Sequence, residues 1–166
     1  MNIYILRHGL AGERDSRKYS NDAERPLTSE GEEKMWKIAN GMKALSLEFD
    51  LILSSPYERT KQTAEIVAEA FKAKGRLEFT KTLEPDGDPA ELTKFLQHRR
   101  TLDSLLLVGH EPYLSSFISM LISGGARAWI TMKKGGLCKL SSDSLKYDRC
   151  ASLRWLLTPK QLILLS

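Results

Sequence analysis

The run Ser104-Leu105-Leu106-Leu107-Val108-Gly109-His110 constrains this chain more than any other stretch. It is apolar without alternation from Leu105 to Val108, so the strand it predicts is buried on both faces, as in a parallel sheet. It breaks off on Gly-His, and a helical pattern follows at once. Glu111-Pro112 opens that helix, with Leu114, Phe117, Ile118, Leu121 and Ile122 on its apolar side.

The same order, strand then polar junction then helix, recurs along the chain. Asn2 to Leu6 reads as a short buried strand that runs into Arg7-His8-Gly9. The aperiodic segment from Leu10 to Arg25 is expected to be a surface loop flanking that junction. Thr28 is the expected N-cap of a first helix ending near Leu45, with Met35, Ile38, Ala39 and Met42 buried. Phe49 to Leu53 is a second strand, broken by Ser54-Ser55-Pro56. A second helix starts at Tyr57, carries Arg59 in its first turn, and is expected to stop at Gly75. Leu77 to Phe79 is a third, short strand. A turn-rich acidic loop from Leu83 to Pro89 leads to a helix over Ala90 to His98. Past Gly124-Gly125, strands are expected at Trp129 to Met132, Gly136 to Leu140 and Ser152 to Leu157. Pro159 to Leu165 fits either a strand or a short helix. The expectation is an α/β chain with a mostly parallel sheet, forming one domain over residues 1–166.

Arg7, His8, Arg59 and His110 all fall at strand-to-helix junctions, which lie along one edge of a parallel sheet. Their chemistry is complementary. Arginine is a fixed-charge fork for phosphate or carboxylate, and histidine is the side chain most readily used as nucleophile or proton carrier near neutral pH. Phosphoryl transfer needs an in-line nucleophile and positive charge on the equatorial oxygens. His8 suits the first role. Arg7, Arg59 and His110, the last as imidazolium, suit the second. No divalent metal is demanded, and a guanidinium beside His8 would repel one. His98 reads as structural, at the basic end of its helix.

Composition narrows the classes further. The net charge of +4 is modest and spread along the chain. The basic pairs Arg99-Arg100 and Lys133-Lys134 lack a neighbouring aromatic platform and read as solvated surface, so no nucleic-acid partner is expected. No apolar run approaches the roughly 20 residues of a membrane span. The chain enters its first strand without a leader pattern, so a cytoplasmic location is expected. Cys138 and Cys150 lack metal-site spacing and read as reduced, structural thiols.

Leu6-Arg7-His8-Gly9, Ser54-Ser55-Pro56 with Arg59 and Gln62-Thr63-Ala64, and Val108-Gly109-His110 resemble the histidine phosphatase superfamily, the phosphoglycerate-mutase-like fold. Arg25-Pro26-Leu27-Thr28, Gly109-His110-Glu111-Pro112 and the ending Trp155 to Lys160 are most similar to its phosphohistidine phosphatase branch, the SixA type. The resemblance implies a three-layer α/β/α sandwich with His8 as nucleophile. Arg7, Arg59 and His110 would bind the phosphoryl group, with Gly9 and Glu111 beside them. No cofactor is implied. The implied partner is a phosphohistidine-bearing protein such as a histidine-containing phosphotransfer domain, acted on by a monomer or weak homodimer.

One departure bears on the substrate. Many members of the superfamily carry a glutamate general acid in a longer insertion after the third strand. Here that region is short: Glu84, Asp86 and Asp88 are the carboxylates nearby, none sits in a clear acid motif, and Glu84 reads either as the acid or as a solvated turn carboxylate. An alcohol leaving group needs such a proton. An imidazole with a conjugate-acid pKa near 6.5 can leave already protonated. Three readings therefore stand: a phosphohistidine phosphatase, a small-metabolite phosphomonoesterase using Glu84 or Asp86, and a phosphate- or phosphoprotein-binding module without turnover. His8 argues for the enzymes, since a pure binding module has no need of a nucleophile between Arg7 and Gly9.

Overall fold

The computed structural model describes residues 1–13, 18–99, 102–125 and 128–166. Its strands are β1 (Asn2–Arg7), β2 (Leu51–Ser54), β3 (Leu77–Phe79), β4 (Ser104–Gly109), β5 (Leu137–Ser142) and β6 (Ala151–Leu157). Its helices are α1 (Ser29–Ala44), α2 (Glu58–Ala70), α3 (Pro89–Gln97), α4 (Tyr113–Ser123) and α5 (Pro159–Leu164). A 3-10 turn at Asp22–Glu24 lies inside the expected loop.

The strands form one sheet in the order β3-β2-β4-β1-β5-β6. β1, β4, β2 and β3 run parallel, whereas β5 pairs antiparallel with β1 and β6 pairs antiparallel with β5. The strand period of two divides the core. Tyr4, Leu6, Ile52, Leu106 and Val108 face α1, α2 and α5. Ile3, Ile5, Leu51, Leu53, Leu105 and Leu107 face α3 and α4. Burial of β4 on both sides follows from its central place, and the result is the three-layer sandwich.

Local chemistry explains where the elements start and stop. The Thr28 side chain accepts from the Gly31 N–H at 3.0 Å, capping α1 as expected. Thr158 and Gln161 form a reciprocal capping box, which makes the terminal segment a helix. α2 ends at Ala70, well before Gly75. Lys72 itself takes a positive φ of 53°, and the Ala73 N–H closes the helix on Ala68 O at 2.7 Å, so the glycine is not needed as the stop. The strand expected at Trp129 to Met132 does not form. Trp129 is fully exposed, and the Met132 carbonyl accepts from Arg7 Nη1 at 2.7 Å instead of a neighbouring strand. His98 caps α3, its Nδ1 2.7 Å from Lys94 O. Arg99 pairs with Glu78, whereas Arg100 lies outside the described residues. No described helix is long and apolar enough to cross a membrane.

Candidate active site

The sheet register builds the site. Arg7 at the end of β1 is paired with Gly109 at the end of β4, so His8 and His110 leave adjacent parallel strands at the same level. Their rings stand 5.4 Å apart, and the His8 N–H donates to Gly109 O at 3.1 Å. β2, on the other side of β4, contributes Ser55, whose Oγ lies 2.9 Å from His110 Nε2. Arg59 arrives from the first turn of α2 and is 1% exposed. The junctions thus bring together the four residues that the sequence singled out, around a cavity of about 520 Å³.

His8 is held in one tautomer. Its Nδ1 lies 2.7 Å from Gly9 O, and only a protonated nitrogen can donate to a carbonyl. The lone pair is therefore on Nε2. Burial, together with the charges of Arg59, Arg7 and Lys134, pushes the His8 pKa down to about 3 against the opposing pull of the Gly9 carbonyl. His110 falls to about 3 as well, through burial and the Arg59 charge. Both rings are therefore neutral near pH 7, whereas an imidazolium was expected at His110. Arg7 Nε and His110 Nδ1 are buried without a hydrogen-bond partner among the described residues. Orphaned nitrogens in a cavity wall are what a ligand-binding site leaves open.

Other expected residues fare differently. The Gly9 N–H donates to Thr63 Oγ1 at 3.0 Å, and that hydroxyl donates to Arg59 O at 2.7 Å, so Gly9 ties the His8 loop to α2. Glu111 lines the cavity, and its Oε1 accepts from Ser115 N at 3.0 Å. Glu84 and Asp86 do not line the cavity. Pro85 between them does, and the two carboxylates lie near Tyr57, where with burial they raise its phenol pKa.

Some cavity residues were not singled out beforehand. Arg25, 7% exposed, lines the cavity beside Arg59, and Asp22 joins the two guanidiniums. Lys134, read as solvated surface, also lines the cavity. The Gly135 N–H donates to both Arg7 O and His8 O at 3.1 Å, which pins the loop carrying Lys134 against β1. Gly135 holds a φ of +76°, a conformation that favours glycine, and the pair Gly135-Gly136 was the available signal. Among the described residues no group of three or more His, Cys, Asp or Glu could hold a metal ion.

Convergent guanidiniums and neutral imidazoles at the carboxyl ends of neighbouring parallel strands define an α/β protein with a cavity suited to an oxyanion. The model of the histidine phosphatase superfamily (branch 1) matches residues 3–84. An uncharacterized protein of Picosynechococcus sp. is 33% identical over 148 residues, 88% of each chain. The phosphohistidine phosphatase SixA of Escherichia coli is 26% identical over 161 residues, 96% of this chain and 94% of its own. A solved structure of the protein histidine phosphatase SixA complexed with tungstate superposes with a TM-score of 0.83 at 26% identity, covering 98% of this chain and 99% of that one. The chain belongs to the histidine phosphatase superfamily, and its activity is that of a phosphatase.

Proposed function

We propose that this phosphatase hydrolyses phosphohistidine carried by a protein, through a phosphohistidine intermediate on its own His8. The observation that carries the mechanism is the 2.7 Å contact between His8 Nδ1 and Gly9 O. It orients a neutral ring with its lone pair on Nε2, the form that attacks phosphorus. Arg7 and Arg59 supply the fixed charge that the phosphoryl oxygens need, and a bound dianion raises the His110 pKa toward protonation.

The steps balance as follows. His8 Nε2 forms a bond to phosphorus as the N–P bond of the substrate breaks. The substrate imidazole, carrying a proton on its other nitrogen, leaves neutral. Water then attacks the phosphoryl group on His8, releasing inorganic phosphate and restoring the free imidazole. Neither step requires a strong protein acid, which suits a cavity that Glu84 and Asp86 do not line. The similarity to SixA supports the same substrate class.

The test is phosphate release from a phosphohistidine protein, p-nitrophenyl phosphate and a sugar phosphate, without added metal, by wild type and His8→Ala. Release from phosphohistidine, little from the sugar phosphate, and loss of both phosphohistidine and p-nitrophenyl phosphate turnover in the variant are expected. Sugar-phosphate turnover that collapses in Glu84→Gln or Glu111→Gln would assign a phosphomonoesterase instead. Absence of His8-dependent release from every substrate would leave a binding protein.

A further inference from the structure

A second hollow of about 440 Å³ adjoins the cavity and shares Leu10 and Lys134 with it. It lies between α1 and α5. The buried Met35 and Ile38 form its floor, and Ile163 and Leu164 form a wall. Leu164 is 75% exposed, although α5 is fixed by its capping box and by the fully buried Leu162. Three lysines, Lys34, Lys134 and Lys160, stand around the hollow, and no carboxylate lines it among the described residues. Glu30, one turn before Lys34 on α1, pairs with that lysine at 2.5 Å.

We propose that this groove seats the surface of the substrate protein beside its phosphohistidine, and that it selects apolar side chains flanked by carboxylates. The inference rests on the phosphohistidine reading above. A histidine side chain is one methylene and a ring, so a phosphohistidine can reach His8 only if the partner backbone rests on the cavity rim. Partner residues next to it then meet whatever surface adjoins that rim. On this side that surface is an apolar groove ringed by lysines, which attracts acidic flanks and repels basic ones. A second copy of this chain is the wrong occupant. A two-fold interface would set the lysine ring against itself.

The test uses two chemically phosphorylated phosphohistidine peptides, one with Leu and Glu around the phosphohistidine and one with Ser and Lys. Phosphoramidate serves as the small substrate. Wild type is expected to favour the Leu/Glu peptide in kcat/KM by about tenfold, the scale of burying one further apolar side chain. The double variant Leu164→Asp, Lys160→Glu is expected to lose that preference while hydrolysing phosphoramidate as wild type does, which also shows that it is folded. Equal kcat/KM for the two peptides, or a preference that survives in the variant, overturns the groove alone. His8-dependent hydrolysis of phosphoramidate with neither peptide cleaved overturns the phosphohistidine reading, and the groove with it. A wild type that sediments as a dimer beside a monomeric Leu164→Asp assigns the groove to a second copy and overturns the proposal.

Discussion

Asp22 grips Arg59 twice. Its carboxylate Oδ2 accepts from Nη2 at 2.9 Å, and its backbone carbonyl accepts from Nη1 at 2.7 Å. The other carboxylate oxygen accepts from Arg25 Nε at 3.1 Å and lies 3.0 Å from Arg25 Nη2. One carboxylate therefore orients two guanidiniums on the cavity wall, each of them buried. Asp22→Asn removes the charge and is expected to lower kcat/KM by about tenfold, the scale of one charge-assisted hydrogen bond. Arg25→Ala should cost a similar factor, and the pair should be non-additive because both act on one assembly. Tungstate affinity of the two single variants and the double variant, measured by calorimetry, checks this without reference to turnover. Strictly multiplicative losses would show that the two residues act apart.

Thr63 connects the two halves of the site. It is fully buried, accepts from the Gly9 N–H and donates to the Arg59 carbonyl. Thr63→Val keeps the shape but leaves the Gly9 N–H without its partner, a loss of about 1–3 kcal/mol. Urea unfolding should register that loss. Activity should fall further than stability explains, because the His8 loop is no longer tied to α2. Wild-type kcat in a destabilised Thr63→Val would show that the tie matters only for folding.

The sequence made Arg7, His8, Arg59 and His110 legible for a local reason. Each is a polar residue at the end of an apolar strand or in the first turn of the helix that follows, and a parallel sheet aligns such positions. Asp22 and Arg25 carried no such sign, lying in an aperiodic loop, and Asp22 meets Arg59 across 37 residues of chain. Lys134 looked like any surface lysine, since its place depends on Gly135 folding back onto the Arg7 and His8 carbonyls. Trp129 to Met132 had strand-like composition, yet Arg7 takes the Met132 carbonyl. Local pattern recovered the frame and its junctions, while long-range polar pairing completed the site.

Gly41 offers a test of packing in which the ordinary helix rule reverses. Glycine inside a helix is normally improved by alanine, by about 1 kcal/mol. Here a Cβ on Gly41 would stand 1.9 Å from the backbone carbonyl oxygen of Leu162, so α5 could not keep its place against α1. Gly41→Ala is expected to destabilise by about 1–3 kcal/mol, as other overpacked positions do. Gly75, with nothing within 4 Å of its Cβ position, is the control, and Gly75→Ala should leave the urea midpoint almost unchanged. Equal midpoints for the two variants would overturn this account of how α5 is held.

The neutral histidines are expected to make the fold less stable in acid. Burial and nearby guanidiniums lower both folded pKa values to about 3, against an ordinary histidine value of 6.5. Between those values the unfolded chain binds more protons than the native one, so stability rises with pH there. The contribution is fully present above pH 6.5 and is lost as pH falls toward 3. The slope is at most about 1.4 kcal/mol per pH unit for each histidine. The rings lie 5.4 Å apart, so the pair titrates jointly. Ring nitrogen NMR should show both imidazoles neutral from pH 8 to pH 5, with His8 protonated on Nδ1. A midpoint near 6.5 for His8 would mean that burial does not hold its ring neutral, and kcat/KM should then fall along the same titration.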